Sequence, residues 1–114
     1  MEIHYLEIVT HDVAASCAIY AAAHGVVFGD PDPTLGGART ANLGPGGLVG
    51  VRAPMHEGET SVTRAYALVD DIERAVAAAA EAGARIIVPP MAIPGRGRCA
   101  IYVHDGIEAG LWQR

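Results

Sequence analysis

The chain opens with alternating apolar and polar residues, Ile3 to Val9, which reads as a strand because successive side chains on extended backbone point to opposite faces. The period then changes. Asp12 is placed to cap a helix, VAASCAIYAAAH follows, and Gly25 ends it as the residue most tolerant of left-handed backbone. Val26–Phe28 reads as a second strand and GDPDP as a turn-rich loop. Arg39–Leu43 and Leu48–Arg52 read as a hairpin around GPGG. The same order then recurs. Thr63–Val69 is a strand, Asp70 or Asp71 caps a helix that stops at Gly83, and Arg85–Val88 is a strand that the following Pro pair should end. Arg98–Val103 and Ile107–Trp112 close the chain as a hairpin through HDG, and APMHEGETS joins the two halves.

Each half therefore reads β-α-β-β-β, with Asp12 answering to Asp71, Val13 to Ile72 and Tyr5 to Arg64. This is one supersecondary unit duplicated, with too long a period and too few copies for a solenoid. The expected class is α+β, a single domain over 1–114 with repeat one at about 2–53, a linker at 54–60 and repeat two at about 61–114. Alternation also sorts the side chains by face. Leu6, Ile8, Ala65, Ala67, Val69, Cys99, Ile101, Val103, Ile107, Ala109 and Leu111 should lie under the helices. The opposite set, Tyr5, Glu7, Val9, Arg64, Tyr66, Leu68, Ala100, Tyr102, Glu108, Gly110 and Trp112, mixes aromatics with a few charges. That is the makeup of a ligand cavity, or else of a second packing layer or dimer contact.

Composition narrows the classes. The 114 residues are 51% apolar and 18% charged with a net charge of −5, which suits a compact globule with one modest core. Every cation is Arg and none is massed in a stripe, so nucleic acid is not an expected partner. No apolar run is long enough for a membrane span, and the first residues lack the order of a signal peptide, so a cytoplasmic location is expected. Cys17 and Cys99 read as buried thiols ahead of a disulfide, and two cysteines fall short of a zinc pattern.

The two β-α-β-β-β units, the VDDIERAV helix start, PPMAIPGRGR and the terminal GLWQ resemble the vicinal oxygen chelate superfamily, which includes glyoxalases, extradiol dioxygenases and bleomycin-resistance proteins. APMHEGE resembles a stretch in its glyoxalase-like bacterial branch. The resemblance implies that each βαβββ unit curls its sheet into a half-barrel with one helix. Two half-barrels enclose one site, and many small members pair as homodimers, so a homodimer of C2 symmetry is expected of this chain. It also implies a divalent metal held by one side chain from the first and last strand of each unit, which stabilises a substrate oxyanion as a Lewis acid.

Carried onto this chain, those positions fall on Tyr5 and Arg64, near Gly50, and on Gly110. Arg cannot coordinate, Gly has no side chain and a neutral Tyr is a poor ligand, so no metal and no other cofactor is expected. Glu7 and Glu108 lie two residues away on the same face and are the candidates for a displaced hard-cation site. HEGE in the linker looks ligand-like without matching a metal spacing, and His4 should face the helices. Tyr5, Glu7, Arg64, Tyr66, Tyr102 and Trp112 are the candidate ligand-binding residues, with Arg64 suited to a carboxylate or planar ring. Glu7 is the one candidate catalytic residue, as a base, unless it simply pairs with Arg64. Three functions stay open: a metal-free small-molecule binder, a glyoxalase-like lyase or isomerase using a displaced metal or Glu7, and an interaction module with a vestigial cavity.

Overall fold

A computed structural model describes residues 1–114. Its elements are β1 (Ile3–Val9), α1 (Val13–His24), a 3-10 turn (Pro33–Leu35), β2 (Arg39–Gly44), β3 (Gly47–Arg52), β4 (Val62–Leu68), α2 (Ile72–Glu81), β5 (Arg85–Ile93), β6 (Gly97–His104) and β7 (Ile107–Gln113). The class is α+β, with two helices and open, mixed strand pairing. No helix is long and apolar enough to cross a membrane.

Two compact units divide the chain: Tyr5–Thr63, and Arg64–Arg114 together with Met1–His4. In the Tyr5–Thr63 unit, β1 runs parallel to β3, and β3 pairs antiparallel with β2. Asp12 caps α1 as expected, its Oδ1 accepting from the Ala15 amide at 3.1 Å. Gly25 closes the helix at φ 66°, donating its N–H to the Ala21 carbonyl. Leu6, Ile8, Val49, Val51 and Ala41 pack with Cys17 of α1 and with Phe28, so the helix side of β1 is where alternation places it. Val26–Phe28 does not form the expected strand. Val26 and Phe28 join that core while Val27 is exposed, so the segment supplies side chains and no ladder.

In the second unit β4 runs parallel to β7, and β7, β6 and β5 follow as antiparallel neighbours. Asp71, rather than Asp70, caps α2 by accepting from the Arg74 amide. The Gln113 side chain accepts from Ile72 N–H at 2.8 Å and satisfies a second amide of that first turn. The turn Asp105–Gly106, at φ 46° and 75°, has the left-handed pair of a two-residue hairpin, and His104 pairs with Ile107 across it. β5 continues through Pro89 and Pro90 to Ile93, contrary to the expected stop. It has β6 as its one neighbour, and the ladder shifts register between Val88 and Met91, where missing amides do least damage.

The register also corrects one strand face. Directly opposed residues of an antiparallel pair share a side, and here Cys99 opposes Trp112 while Ala100 opposes Leu111. Ala100 and Tyr102 therefore lie on the helix side, where they pack with Ile72 and Leu111. Cys99, Ile101 and Val103 lie on the other side, the reverse of the expected assignment. Both cysteines are buried free thiols.

Candidate functional site

Each unit turns one strand face away from its helix, and these two inner faces carry most of the candidate residues. In the first unit, β1 and β3 pair Glu7 with Gly50 and Val9 with Arg52, which puts Tyr5, Glu7, Val9, Gly50 and Arg52 on one side. All five are buried. The Tyr5 ring lies over Gly50: a methyl group there would come within 2.6 Å of Tyr5 Cζ. Such contact forbids any side chain at Gly50 while the ring stays in place.

Arg52 was not among the sequence candidates, yet it organises this face. Its Nε donates to Glu7 Oε2 at 2.9 Å, and its Nη1 and Nη2 donate to the two oxygens of Glu59 at 2.7 Å each. Nη1 also reaches the Ala53 carbonyl. A fork meeting both oxygens of a carboxylate is the strongest form of this contact. The Glu59 hydrogen bonds raise the guanidinium pKa still further above its ordinary value. In return Arg52, helped by the Met55 amide, holds the Glu59 carboxyl down at about 2. The HEGE stretch of the linker is thus a turn, closed by the Glu59 N–H to His56 carbonyl bond, that delivers Glu59 to Arg52. Its ligand-like look comes from an internal ion pair.

In the second unit, Tyr66 pairs with Gly110 and Leu68 with Trp112, so Arg64, Tyr66, Glu108, Gly110 and Trp112 share the inner face. Arg64 is 6% exposed, and its Nε and Nη2 both donate to Oε1 of Glu108, at 2.9 and 2.7 Å. The Tyr66 ring lies over Gly110, where a methyl would come within 2.7 Å of Cε2. Tyr66 also meets Trp112 edge to face, with centroids 5.7 Å apart at 84°. Trp112 Nε1 donates to the Arg96 carbonyl at 2.8 Å, which anchors the indole to the PGRG loop. The His4 ring sits 5.4 Å from Trp112, and burial lowers its pKa.

The structure thus brings Arg64, Tyr66 and Trp112 together in one unit, and Tyr5 and Glu7 together in the other. It removes Tyr102 to the helix side. The residues at the four positions where the superfamily holds its metal do not fit one. They are Tyr5, Arg64 and two glycines under tyrosine rings, and nowhere do three His, Cys, Asp or Glu side chains converge. Glu7 and Glu108, the candidates for a displaced site, each accept from a guanidinium.

No family model matches the chain, and no curated protein matches it. Solved structures do. A hypothetical protein, BH1468 from Bacillus halodurans C-125, aligns with a TM-score of 0.76 at 15% identity, over 99% of this chain and 94% of that one. Methylmalonyl-CoA epimerase from Mycobacterium tuberculosis aligns at 0.71 and 14% identity, over 98% and 87%. A variant of the Streptomyces coelicolor methylmalonyl-CoA epimerase, in complex with 2-nitronate-propionyl-CoA, aligns at 0.67 and 19%, over 99% and 96%. These epimerases are vicinal oxygen chelate proteins. With near-complete coverage of both chains at these TM-scores, the chain has the vicinal oxygen chelate fold.

Proposed function

We propose that this protein is a small-molecule binder of the glyoxalase/bleomycin-resistance type that works without the metal centre often carried by its fold. The observation behind this reading is the matched pair of tyrosine rings, Tyr5 over Gly50 and Tyr66 over Gly110, standing where side-chain ligands would project. The donor set that remains is two carboxylates already engaged by arginines, a poor match for a transition metal. Elemental analysis of dialysed protein should return far less than one zinc, nickel or iron per chain. A value close to one would overturn the reading.

What the site would recognise follows from the second unit. A buried guanidinium beside an edge-to-face Tyr66–Trp112 pair favours a planar organic anion, since Arg binds carboxylates and also stacks on rings. Arg64→Ala should weaken binding of a carboxylated aromatic by about 2 kcal/mol, roughly thirtyfold, and leave its neutral analogue little changed. Trp112→Ala should weaken both alike, because ring contact does not depend on ligand charge. A calorimetric screen of paired acids and amides checks this, and an Arg64→Ala variant that kept its acid preference would remove the reading.

A second reading, an isomerase or lyase using Glu7 as its base, draws on the epimerase neighbours, whose complexes hold acyl-CoA ligands. It is supported by the burial of Glu7 at 7% exposure and by the Arg52 hydrogen bond that fixes its carboxylate, since a base must be positioned first. Loss of turnover in Glu7→Gln with folding intact would favour it; binding without turnover in the wild type would not.

A further inference from the structure

Each inner face holds one buried arginine, and the two are gripped in different ways. Glu59 meets Arg52 through both of its oxygens and keeps only 13% of its side chain exposed. Glu108 meets Arg64 through Oε1, on which two N–H groups converge, and keeps 33% exposed. Glu59 is fastened further by the Met55 amide. Glu108 is the second residue of β7, beside the two-residue turn at Asp105–Gly106.

We infer that Glu108 is an exchangeable occupant of the Arg64 guanidinium, and that a ligand carboxylate binds by displacing it. The exchange conserves charge at Arg64: one carboxylate leaves as another arrives, so the buried cation keeps a counter-ion throughout. Glu108 is already partly in water, so its release restores hydration at small cost. Releasing Glu59 would instead break a two-oxygen fork and a backbone hydrogen bond. The incoming carboxylate can satisfy the fork with both oxygens, a better match than convergence on one. Tyr66 and Trp112 lie on the same face, buried at 5% and 3% exposure, and would pack against the rest of the molecule once Glu108 has left. The ligand class is therefore a planar or aromatic monocarboxylate, and Glu108 sets its affinity by competition.

This inference rests on reading Arg64 as the anion receptor, and the test separates the two. The probes are 2-naphthoate and its neutral amide, titrated by calorimetry into wild type, Glu108→Gln, Glu108→Asp and Arg64→Ala. Removing the competing charge in Glu108→Gln should tighten naphthoate by about tenfold, as relief of about 1.4 kcal/mol of competition would give, and leave the amide unchanged. Glu108→Asp, with a shorter reach to Arg64, should tighten it less and in the same direction, and it carries the test if the glutamine variant does not fold. If naphthoate binds either Glu108 variant no better than wild type while Arg64→Ala abolishes the acid preference, Glu108 is a fixed structural partner and the displacement model is overturned alone. If wild type shows no preference for the acid over the amide, Arg64 is not an anion receptor and both readings fall.

Discussion

Replacing Arg52 with methionine is expected to destabilise the protein by about 3–5 kcal/mol, the usual cost of removing one partner from a buried ion pair. Arg52 is 3% exposed and stands between Glu7 of β1 and Glu59 of the linker, so its removal leaves two carboxylates without the cation that joined them. Urea unfolding should show a lower midpoint with the slope unchanged. A triple variant, Arg52→Met with Glu7→Gln and Glu59→Gln, should recover part of the loss, because the cost comes mainly from stranded charge. If the single variant unfolds like wild type, the triad is not what holds the linker arm and β3 together.

The same triad sets an acid limb. The Glu59 carboxyl titrates at about 2 in the folded protein, against an ordinary 4.5, chiefly because Arg52 donates to it. A depressed folded pKa means the unfolded chain takes up the proton first as pH falls. The stabilisation from Glu59 is therefore fully present above about pH 4.5 and is lost progressively down to about pH 2. Its upper bound is about 3 kcal/mol. Glu59→Gln should be less stable at neutral pH and flatter through that window, which is part of the same set of unfolding curves.

Structure is legible in this sequence where it is local and hidden where it is not. Asp12 and Asp71 cap their helices, and Gly25 ends α1, because capping is decided within one turn of chain. Duplication was legible because both copies carry these signals in the same order. The face of β6 was not, since RCAIYVH is apolar on both sides and alternation alone has no phase there. A signal did exist: the two-residue turn at Asp105–Gly106 fixes His104 opposite Ile107, and counting back from it places Cys99, and not Ala100, beside Trp112. The same count puts Tyr102 opposite Ala109, on the helix side. In the sequence Arg52 reads as a strand end and Glu59 as linker, and their bond depends on how a turn folds back, which no period reports. Pro89 and Pro90 argued for a strand end under a rule that holds for central strands, and β5 has a neighbour on one side only.

The tyrosine–glycine contacts carry the second large expectation. Gly50→Ala and Gly110→Ala should each cost about 3 kcal/mol, the upper range for forcing volume into a packed site. Neither cost comes from backbone strain, since neither glycine is among those with positive φ. It comes from one specific ring in each case, Tyr5 for Gly50 and Tyr66 for Gly110, which the new methyl would overlap. The penalty should therefore be relieved by shrinking that ring's residue and no other. In a double-mutant cycle, Tyr5→Ala/Gly50→Ala should be more stable than the two single losses added together, by about 1–3 kcal/mol, while Tyr66→Ala/Gly50→Ala should be additive. The mirrored result is expected at Gly110, with Tyr66 as the coupled partner. The same overlap applies to any larger side chain: a histidine or glutamate at Gly50 or Gly110 would meet Tyr5 or Tyr66 at its own Cβ. Additivity in both cycles would show that the rings yield easily, and the case for a binder that excludes the metal would lose its main support.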